Sequence, residues 1–114
     1  MSAVPAAFRV ELIPDRTRIL VAPHGELDLS TAGEVRDAIA EVREHGFDRI
    51  VLDLRGITFI DSTGVRLLVR TRSASHDGSW AFSIIDGGEQ VGHVLVLAGV
   101  SHLFTRASPP GVAA

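Results

Sequence analysis

The most constraining feature of the sequence is residues 49–54, a run that is apolar on both faces of an extended chain. Such a run is typical of a central strand whose sheet is covered on both sides or nearly so. Asp53 is the one carboxylate in the run, and burying a carboxylate is costly unless it accepts hydrogen bonds. We therefore expect Asp53 to have a structural role, either at the end of the strand or as an acceptor for donors from the Arg55-Gly56 turn.

Strand-like and helix-like patterns alternate through the rest of the chain. Residues 8–13 begin with apolar and polar side chains alternating at period 2, which indicates a half-buried strand, and Pro14-Asp15 is a turn signal. Thr31 and Glu34 match a capping box ahead of apolar residues at helical spacing. The predicted strands are 8–13, 18–23, 49–54 and 80–85, with a short edge strand at 103–104, and the predicted helices run from Thr31 to Gly46, from Ser62 to the turn at 76–79, and from Glu89 to Ala98.

This order of elements predicts an α/β (α+β) fold, with a mixed β-sheet and helices packed mainly on one face. The first two strands form an antiparallel hairpin, whereas the later strands are linked through helices. A chain of 114 residues is the size of one domain. We expect an N-terminal extension at 1–7, the domain at 8–106 and a flexible C-terminal tail at 107–114.

Composition argues against several classes of function. A net charge of −3 and a pI near 5.9 are unfavourable for nucleic-acid binding, which relies on a basic patch. The chain has no cysteine, and its five histidines lack metal-ligand spacing, so we expect neither a metal site nor a cofactor. The first residues lack the pattern of a signal peptide, and no apolar run approaches the roughly 20 residues of a membrane span. We therefore expect a cytoplasmic protein that does not bind membranes.

The strongest functional signal is Asp61-Ser62-Thr63-Gly64, which lies where the strand pattern changes to a helix pattern. Asp61 is a good N-cap, and the residues after it occupy a first helical turn, where backbone N–H groups lack intrahelical partners. Ser62 would hold its hydroxyl beside this positive helix end. A phosphate there adds about −1.5 to −2 charges, which free N–H groups and the helix dipole would tolerate. The pattern indicates a site for a reversible surface charge.

The Asp61-Ser62-Thr63-Gly64 segment resembles the signature of the STAS domain, specifically of the bacterial anti-sigma factor antagonist family. The similarity spans roughly residues 8–106. The other stretches that carry the resemblance are Gly25-Glu26-Leu27-Asp28, Val51-Leu52-Asp53-Leu54, and residues 91–100 with Leu103-Phe104.

The resemblance also implies a function and assigns the central role to one residue. In that family the serine after the aspartate is phosphorylated by a partner that is both a serine kinase and an anti-sigma factor, and Ser62 takes that position here. Unphosphorylated Ser62 would allow binding of the anti-sigma factor and release of a sigma factor, and a serine phosphatase would restore this form. The implied protein is a binding protein and not an enzyme.

Asp61 and Ser62 are candidates for partner binding, since Asp61 could orient the Ser62 hydroxyl or the magnesium of the kinase in addition to capping the helix. Five further residues are also candidates. Asp28 follows the second predicted strand, which should end near the start of the second helix, although it could serve only as a turn residue or as a remote cap for the first helix. Thr63 provides a second hydroxyl and is the minor candidate for the phosphate acceptor. Gly64 would allow close approach of the kinase backbone or of the neighbouring loop, or simply close packing of the helix on the sheet. Arg66 and Arg70 continue from Ser62 along one helix face, which could equally be an ordinary solvated surface.

Three alternative functions remain for comparison. A phosphoaspartate receiver domain would use Asp53, but such domains also need a lysine, and this chain has none. A hydrolase is disfavoured because Ser62 lies outside a Gly-x-Ser-x-Gly elbow and the Asp-Ser-Thr-Gly motif does not match that of aspartic proteases. A STAS signalling or scaffold module within a larger regulatory assembly, without direct sigma-factor output, fits the sequence and stays open.

Overall fold

The computed structural model describes residues 7–111, which contain five strands, three helices and one short 3₁₀ turn. The predicted N-terminal extension, apart from Ala7, and the last three residues of the predicted tail lie outside the described residues. The elements in chain order are β1 (Arg9–Asp15), β2 (Arg18–Leu27), α1 (Ala32–Glu44), β3 (Arg49–Asp53), β4 (Ile57–Ile60), α2 (Ser62–Gly78), β5 (Ala81–Ile85), α3 (Glu89–Leu97) and the 3₁₀ turn (Ser101–Leu103).

The sheet is mixed, as the sequence predicts. Its strand order is β1-β2-β3-β5, and β4 pairs with β2 as well. β1 is antiparallel to β2, whereas the other pairs are parallel. β3 pairs with residues 19–21 of β2 and β4 pairs with residues 25–27, so the ten-residue β2 serves two successive partners. The C-terminal half of β2 therefore pairs with β4 and positions the segment that leads into α2.

The helices cover one face of the sheet, which confirms that prediction. Val35, Leu68 and Val91 represent the buried faces of α1, α2 and α3, and all three belong to the same core cluster. This cluster also contains the strand residues Ile19, Val21, Ile50, Leu52 and Ile84. On the other face, Leu20, Val51 and Ile85 form a smaller buried cluster with Ile13 and Ala107 packed against it. The run at 49–54 is apolar on both faces because both clusters cover it.

Strand β4 is absent from the predicted order of elements. Its four residues have buried ends, Ile57 and Ile60, around the exposed pair Thr58 and Phe59, so no alternation at period 2 marks them as a strand. What defines β4 is pairing with β2, which requires a register shift at Gly25/Glu26. Such long-range pairing leaves no local signal in the sequence.

The predicted capping box at Thr31 and Glu34 is wrong. Thr31 occupies the N-cap of α1, but its side chain makes no cap hydrogen bond. Its hydroxyl instead donates to the carbonyl oxygen of Glu26 at 2.7 Å and accepts from the backbone N–H of Asp28 at 3.0 Å. Thr31 therefore ties the loop after β2 to the end of that strand.

The predicted edge strand at Leu103-Phe104 is also wrong. Leu103 ends the 3₁₀ turn, and the chain returns to the sheet only at Arg106, which forms an isolated parallel bridge with Ile84. Ala107 then donates its N–H to the carbonyl oxygen of Ile84 at 2.8 Å, and the Arg18 guanidinium donates to that of Ser108 at 2.8 Å. These bonds move the start of any flexible tail beyond Ser108, and the other domain boundaries stay predictions. No helix within residues 7–111 is long and apolar enough to cross a membrane.

Candidate phosphorylation and partner-binding site

The site lies where β2 and β4 end side by side. The parallel register pairs Leu27 with Ile60, and the N–H of Asp61 donates to the carbonyl oxygen of Leu27 at 3.3 Å. Paired strands lie about 4.8 Å apart. Asp28 and Asp61 directly follow the paired residues, so the structure brings the loop after β2 and the start of α2 to one edge of the sheet.

Asp61 caps α2, as the sequence predicts. Its backbone is extended, and its Oδ1 accepts the N–H groups of Thr63 at 2.9 Å and Gly64 at 3.2 Å. Its carbonyl oxygen accepts the N–H of Val65 at 3.0 Å. The expectation of free N–H groups beside Ser62 is therefore wrong for Thr63 and Gly64, because the carboxylate of Asp61 already accepts hydrogen bonds from both.

Ser62 is exposed at the first position of α2. Within residues 7–111 its hydroxyl makes no side-chain hydrogen bond, since the cap is supplied by Asp61. Thr63 is half-buried. The more accessible hydroxyl thus belongs to Ser62.

Gly64 is buried, and packing explains its identity. A Cβ at this position would lie 2.6 Å from Cγ1 of Ile60, 3.0 Å from Cγ of Leu27 and 3.0 Å from the carbonyl oxygen of Leu27. Only glycine lets α2 start this close to the ends of both strands. The structure favours the close approach of the neighbouring strand over direct contact with a partner.

Asp28 organises the loop between β2 and α1. Its Oδ1 accepts the backbone N–H of Ser30 at 2.9 Å and the hydroxyl of Ser30 at 2.7 Å, and its carbonyl oxygen accepts the N–H of Ala32 at 2.9 Å. The hydroxyl of Ser30 lowers the pKa of the Asp28 carboxyl more than any other contact does. The loop presents Leu29 to solvent with 82% of its surface exposed. Leu29 is absent from the candidates drawn from the sequence, although an apolar residue inside the Asp-Leu-Ser turn was a usable signal.

Gln90 is a second residue that sequence reasoning missed. Its side chain reaches from α3 to the end of β4, where Oε1 accepts the N–H of Ile60 at 3.0 Å and Nε2 donates to the carbonyl oxygen of Ile60 at 3.2 Å. The amide thus takes the place of a neighbouring strand immediately before Asp61. No local pattern could reveal this contact, because the two residues lie 30 positions apart.

Arg66 and Arg70 are exposed on α2, one and two turns beyond Ser62. Both line a groove between α1 and α2 that also includes Thr63 and Leu29. The predicted candidates therefore form two adjoining groups, the charged loop and first turn at the sheet edge, and the arginines along α2.

Asp53 lies outside this site and has the structural role that the sequence predicts. Its carboxylate is buried and accepts the backbone N–H of Arg55 at 3.0 Å together with two guanidinium hydrogen bonds at 3.0 and 2.8 Å. Burial acts to raise the pKa of Asp53, but the hydrogen bonds and charge of Arg55 outweigh burial and hold this pKa below its usual value. Among residues 7–111, no three histidine or acidic side chains are grouped closely enough to hold a metal ion.

Known proteins with a similar sequence or fold include proteins named as anti-sigma factor antagonists. The Staphylococcus aureus protein named anti-sigma-B factor antagonist is 28% identical over 79 residues, which make up 69% of this chain and 73% of that protein. The crystal structure of an anti-sigma factor antagonist from Mycobacterium paratuberculosis has a TM-score of 0.76 at 21% identity and covers 95% of this chain and 92% of that one. The Bacillus cell fate determinant SpoIIAA in its phosphorylated form has a TM-score of 0.63 at 20% identity, covering 90% and 92%.

The family assignment rests on the sequence itself. The family profile described as the STAS domain matches residues 10–110. This match includes every strand from β2 to β5, all three helices and the Asp61-Ser62-Thr63-Gly64 turn. The chain belongs to the STAS domain family.

Proposed function

We propose that this STAS domain is an anti-sigma factor antagonist whose affinity for its partner is set by phosphorylation of Ser62. The observation that carries the proposal is the exposed Ser62 hydroxyl directly after the Asp61 cap, at the edge where β2 and β4 end. The names of the relatives and structural neighbours support this role, and one neighbour is described in a phosphorylated form. The protein acts by binding and not by catalysis.

The switch changes the charge of a binding surface. The γ-phosphoryl group of ATP passes to Oγ of Ser62, with release of ADP and a proton, and adds about −1.5 to −2 charges at neutral pH. This charge lies next to the carboxylate of Asp61 and on the same sheet edge as Asp28. A partner surface that fits the free hydroxyl then faces three negatively charged groups instead of two, which weakens the complex.

The proposed partners follow from this cycle. The anti-sigma factor is also the serine kinase, so that binding of the free form and its phosphorylation take place on the same surface. A serine phosphatase removes the phosphate and restores binding. The cycle acts on a sigma factor in the bacterial cytoplasm, and Asp28, Asp61, Thr63, Arg66 and Arg70 contribute to the recognition surface.

Phosphorylation in vitro tests the proposal. The purified protein, its cognate anti-sigma kinase and ATP should give a single added phosphate by mass spectrometry, mapped to Ser62 by peptide analysis. Ser62→Ala should abolish the modification, and Thr63→Ala, the matched control one residue along, should retain it. Label that remains on the Ser62→Ala protein would assign the acceptor to another residue. Tight binding of the kinase with no phosphate transfer would favour the scaffold function instead.

Binding measurements test the switch itself. Calorimetric titration with the anti-sigma factor should show strong binding by the free protein and weaker binding after phosphorylation. Ser62→Asp should weaken binding less than phosphate does, since it adds one charge and lacks the phosphate oxygens. Equal affinity of the free protein and of Ser62→Asp would mean that the switch does not operate through charge at this surface.

A further inference from the structure

The groove between α1 and α2 has a volume of about 660 Å³ and is lined by fourteen residues, four of which are arginines. Arg36 and Arg43 come from α1, and Arg66 and Arg70 come from α2. None of the fourteen acidic residues of the chain lines the groove, although acidic residues outnumber arginines by three in the whole sequence. The groove is therefore a local concentration of positive charge on an acidic protein.

The two helices keep acidic side chains out of the groove in different ways. On α1, Arg36 and Arg43 are seven residues apart on the groove side, and the four acidic residues of this helix, Glu34, Asp37, Glu41 and Glu44, do not line the groove. On α2, the segment 62–76 contains no acidic residue at all. Like charges four residues apart on a helix, as in Arg66 and Arg70, are mutually destabilising.

Most of this positive charge is available for a partner. Within residues 7–111, Arg66 and Arg70 make neither an ion pair nor a side-chain hydrogen bond, and Arg36 makes one long contact of 3.7 Å with the highly exposed Asp37. Arg43 is held in place, because its guanidinium donates to the carbonyl oxygen of Phe47 at 2.8 Å and lies 5.0 Å from the ring centroid of Trp80. The groove thus has one arginine held by other groups at its Trp80 end and three exposed arginines along its length.

Between the arginines the groove is apolar. Ile39 and Leu67 are buried beneath it, and the small side chains of Ala40 and Ala74 are exposed along it. Small residues leave room for another main chain to approach. The exposed Leu29 lies at the end nearest the Asp28 loop. An apolar strip flanked by cations on both sides is complementary to an amphipathic helix that has acidic residues beside its apolar stripe.

We propose that this arginine groove, defined by Arg36, Arg43, Arg66 and Arg70, docks an acidic amphipathic helix of the anti-sigma factor. The proposal rests on the proposed function for the identity of the partner. Thr63 and Arg66 line the groove near the N-terminus of α2, in the first turns of the helix that begins with Ser62. The groove is therefore continuous with the surface that carries Ser62. Docking in the groove adds contacts with α1, which lie away from the phosphate acceptor and which increase the affinity for the anti-sigma factor and fix its orientation.

A charge-reversal pair tests the groove away from Ser62. Arg36→Glu with Arg70→Glu should weaken calorimetric binding of the purified anti-sigma factor by about tenfold or more at low salt, because attraction becomes repulsion on both sides of the groove. The matched control is Arg16→Glu with Arg49→Glu, which changes net charge equally at the opposite end of the sheet, where β2 and β3 begin. This control should bind like the wild type. Equal weakening by both pairs would indicate a general charge effect and overturn the groove.

A neutral variant separates docking from electrostatics. Ala40→Phe fills the apolar strip at an exposed helix position without changing charge, so it should weaken binding while circular dichroism and the melting temperature stay unchanged. Wild-type affinity in Ala40→Phe and in the charge-reversal pair, combined with weaker binding after Ser62 phosphorylation, would overturn the groove and leave the proposed function intact. Absence of binding by the wild-type protein itself would overturn both.

Discussion

Replacing Gly64 with alanine tests how tightly the start of α2 is fixed to the sheet. In an open helix position this change is favourable, because alanine exceeds glycine in helix propensity by about 1 kcal/mol. At Gly64, however, the new Cβ would lie 2.6 Å from Cγ1 of Ile60 and 3.0 Å from both Cγ and the carbonyl oxygen of Leu27. Both neighbours are almost fully buried, at 1% and 0% exposure, so their side chains cannot swing into solvent.

The net effect follows from these two opposing contributions. Overpacking a well-packed core costs about 1–3 kcal/mol, and the contact with the Leu27 carbonyl adds main-chain movement to the side-chain strain. After subtraction of the gain in helix propensity, Gly64→Ala should destabilise the protein by up to about 2 kcal/mol. For a domain of this size that corresponds to a decrease in Tm of up to roughly 8 °C.

Gly92 in α3 provides the matched control. It is also a helix glycine, but beyond its chain neighbours and the nearby backbone of α3, a Cβ there would meet no heavy atom within 4 Å. Gly92→Ala should therefore stabilise the protein by about 0.4–1 kcal/mol. Urea denaturation followed by circular dichroism measures both changes in the free energy of unfolding. If Gly64→Ala raised stability as much as Gly92→Ala, the close approach of α2 to Leu27 and Ile60 would be refuted as the reason for glycine.

Three further predictions concern residues that hold the site or the sheet. Asp61→Ala removes the cap of α2 and should cost about 0.5–2 kcal/mol in the free energy of unfolding, whereas Asp61→Ser should cost only a few tenths; a lower rate of Ser62 phosphorylation in Asp61→Ser at full stability would show that Asp61 has a role besides capping. Gln90→Ala leaves the N–H and carbonyl oxygen of Ile60 without their partners and should cost about 1–3 kcal/mol in urea denaturation; no change would mean that water replaces the amide. Asp53→Asn should destabilise by about 1–3 kcal/mol at pH 7. The pKa of Asp53 is lower in the folded state than in the unfolded state, so its contribution to the free energy of unfolding is complete above about pH 4 and is lost as pH falls through the folded pKa. The stabilities of the wild type and Asp53→Asn, measured against pH, should therefore converge in acid. A difference that does not depend on pH would contradict the assignment.

The sequence predicts those parts of the fold that local patterns determine. Residues 49–54 are apolar at neighbouring positions because two clusters cover opposite faces of β3. The strand-to-helix change at Asp61 is likewise visible, because a capping aspartate precedes apolar residues at helical spacing. Strand β4 is not visible in this way, since its pairing depends on a register shift in β2 and on the amide of Gln90 in a later helix.

At the site, local sequence patterns also failed to predict which groups individual hydrogen bonds join. From the sequence, Asp61 predicts a cap, and the first turn of α2 predicts free donors for a phosphate, but both predictions use the same N–H groups. The structure assigns those of Thr63 and Gly64 to Asp61. The arginine groove could not be predicted from the sequence for a different reason. Arg66 and Arg70 are recognisable as a stripe on one helix, whereas their position opposite Arg36 and Arg43 depends on how α1 and α2 pack.

Asp61 and Ser62 have separate roles, which explains how Ser62 could gain a charge without a change of fold. Asp61 holds the first turn of α2 through its own carboxylate, and Gly64 holds the same turn against Leu27. Ser62 contributes no side-chain hydrogen bond to either arrangement within residues 7–111, so modification of its hydroxyl breaks none. Because Asp61 already engages the N–H groups of Thr63 and Gly64, a phosphate on the exposed Ser62 would not depend on those two donors. Its charge would then act on a partner that docks at this edge of the sheet, as the proposed switch of affinity requires.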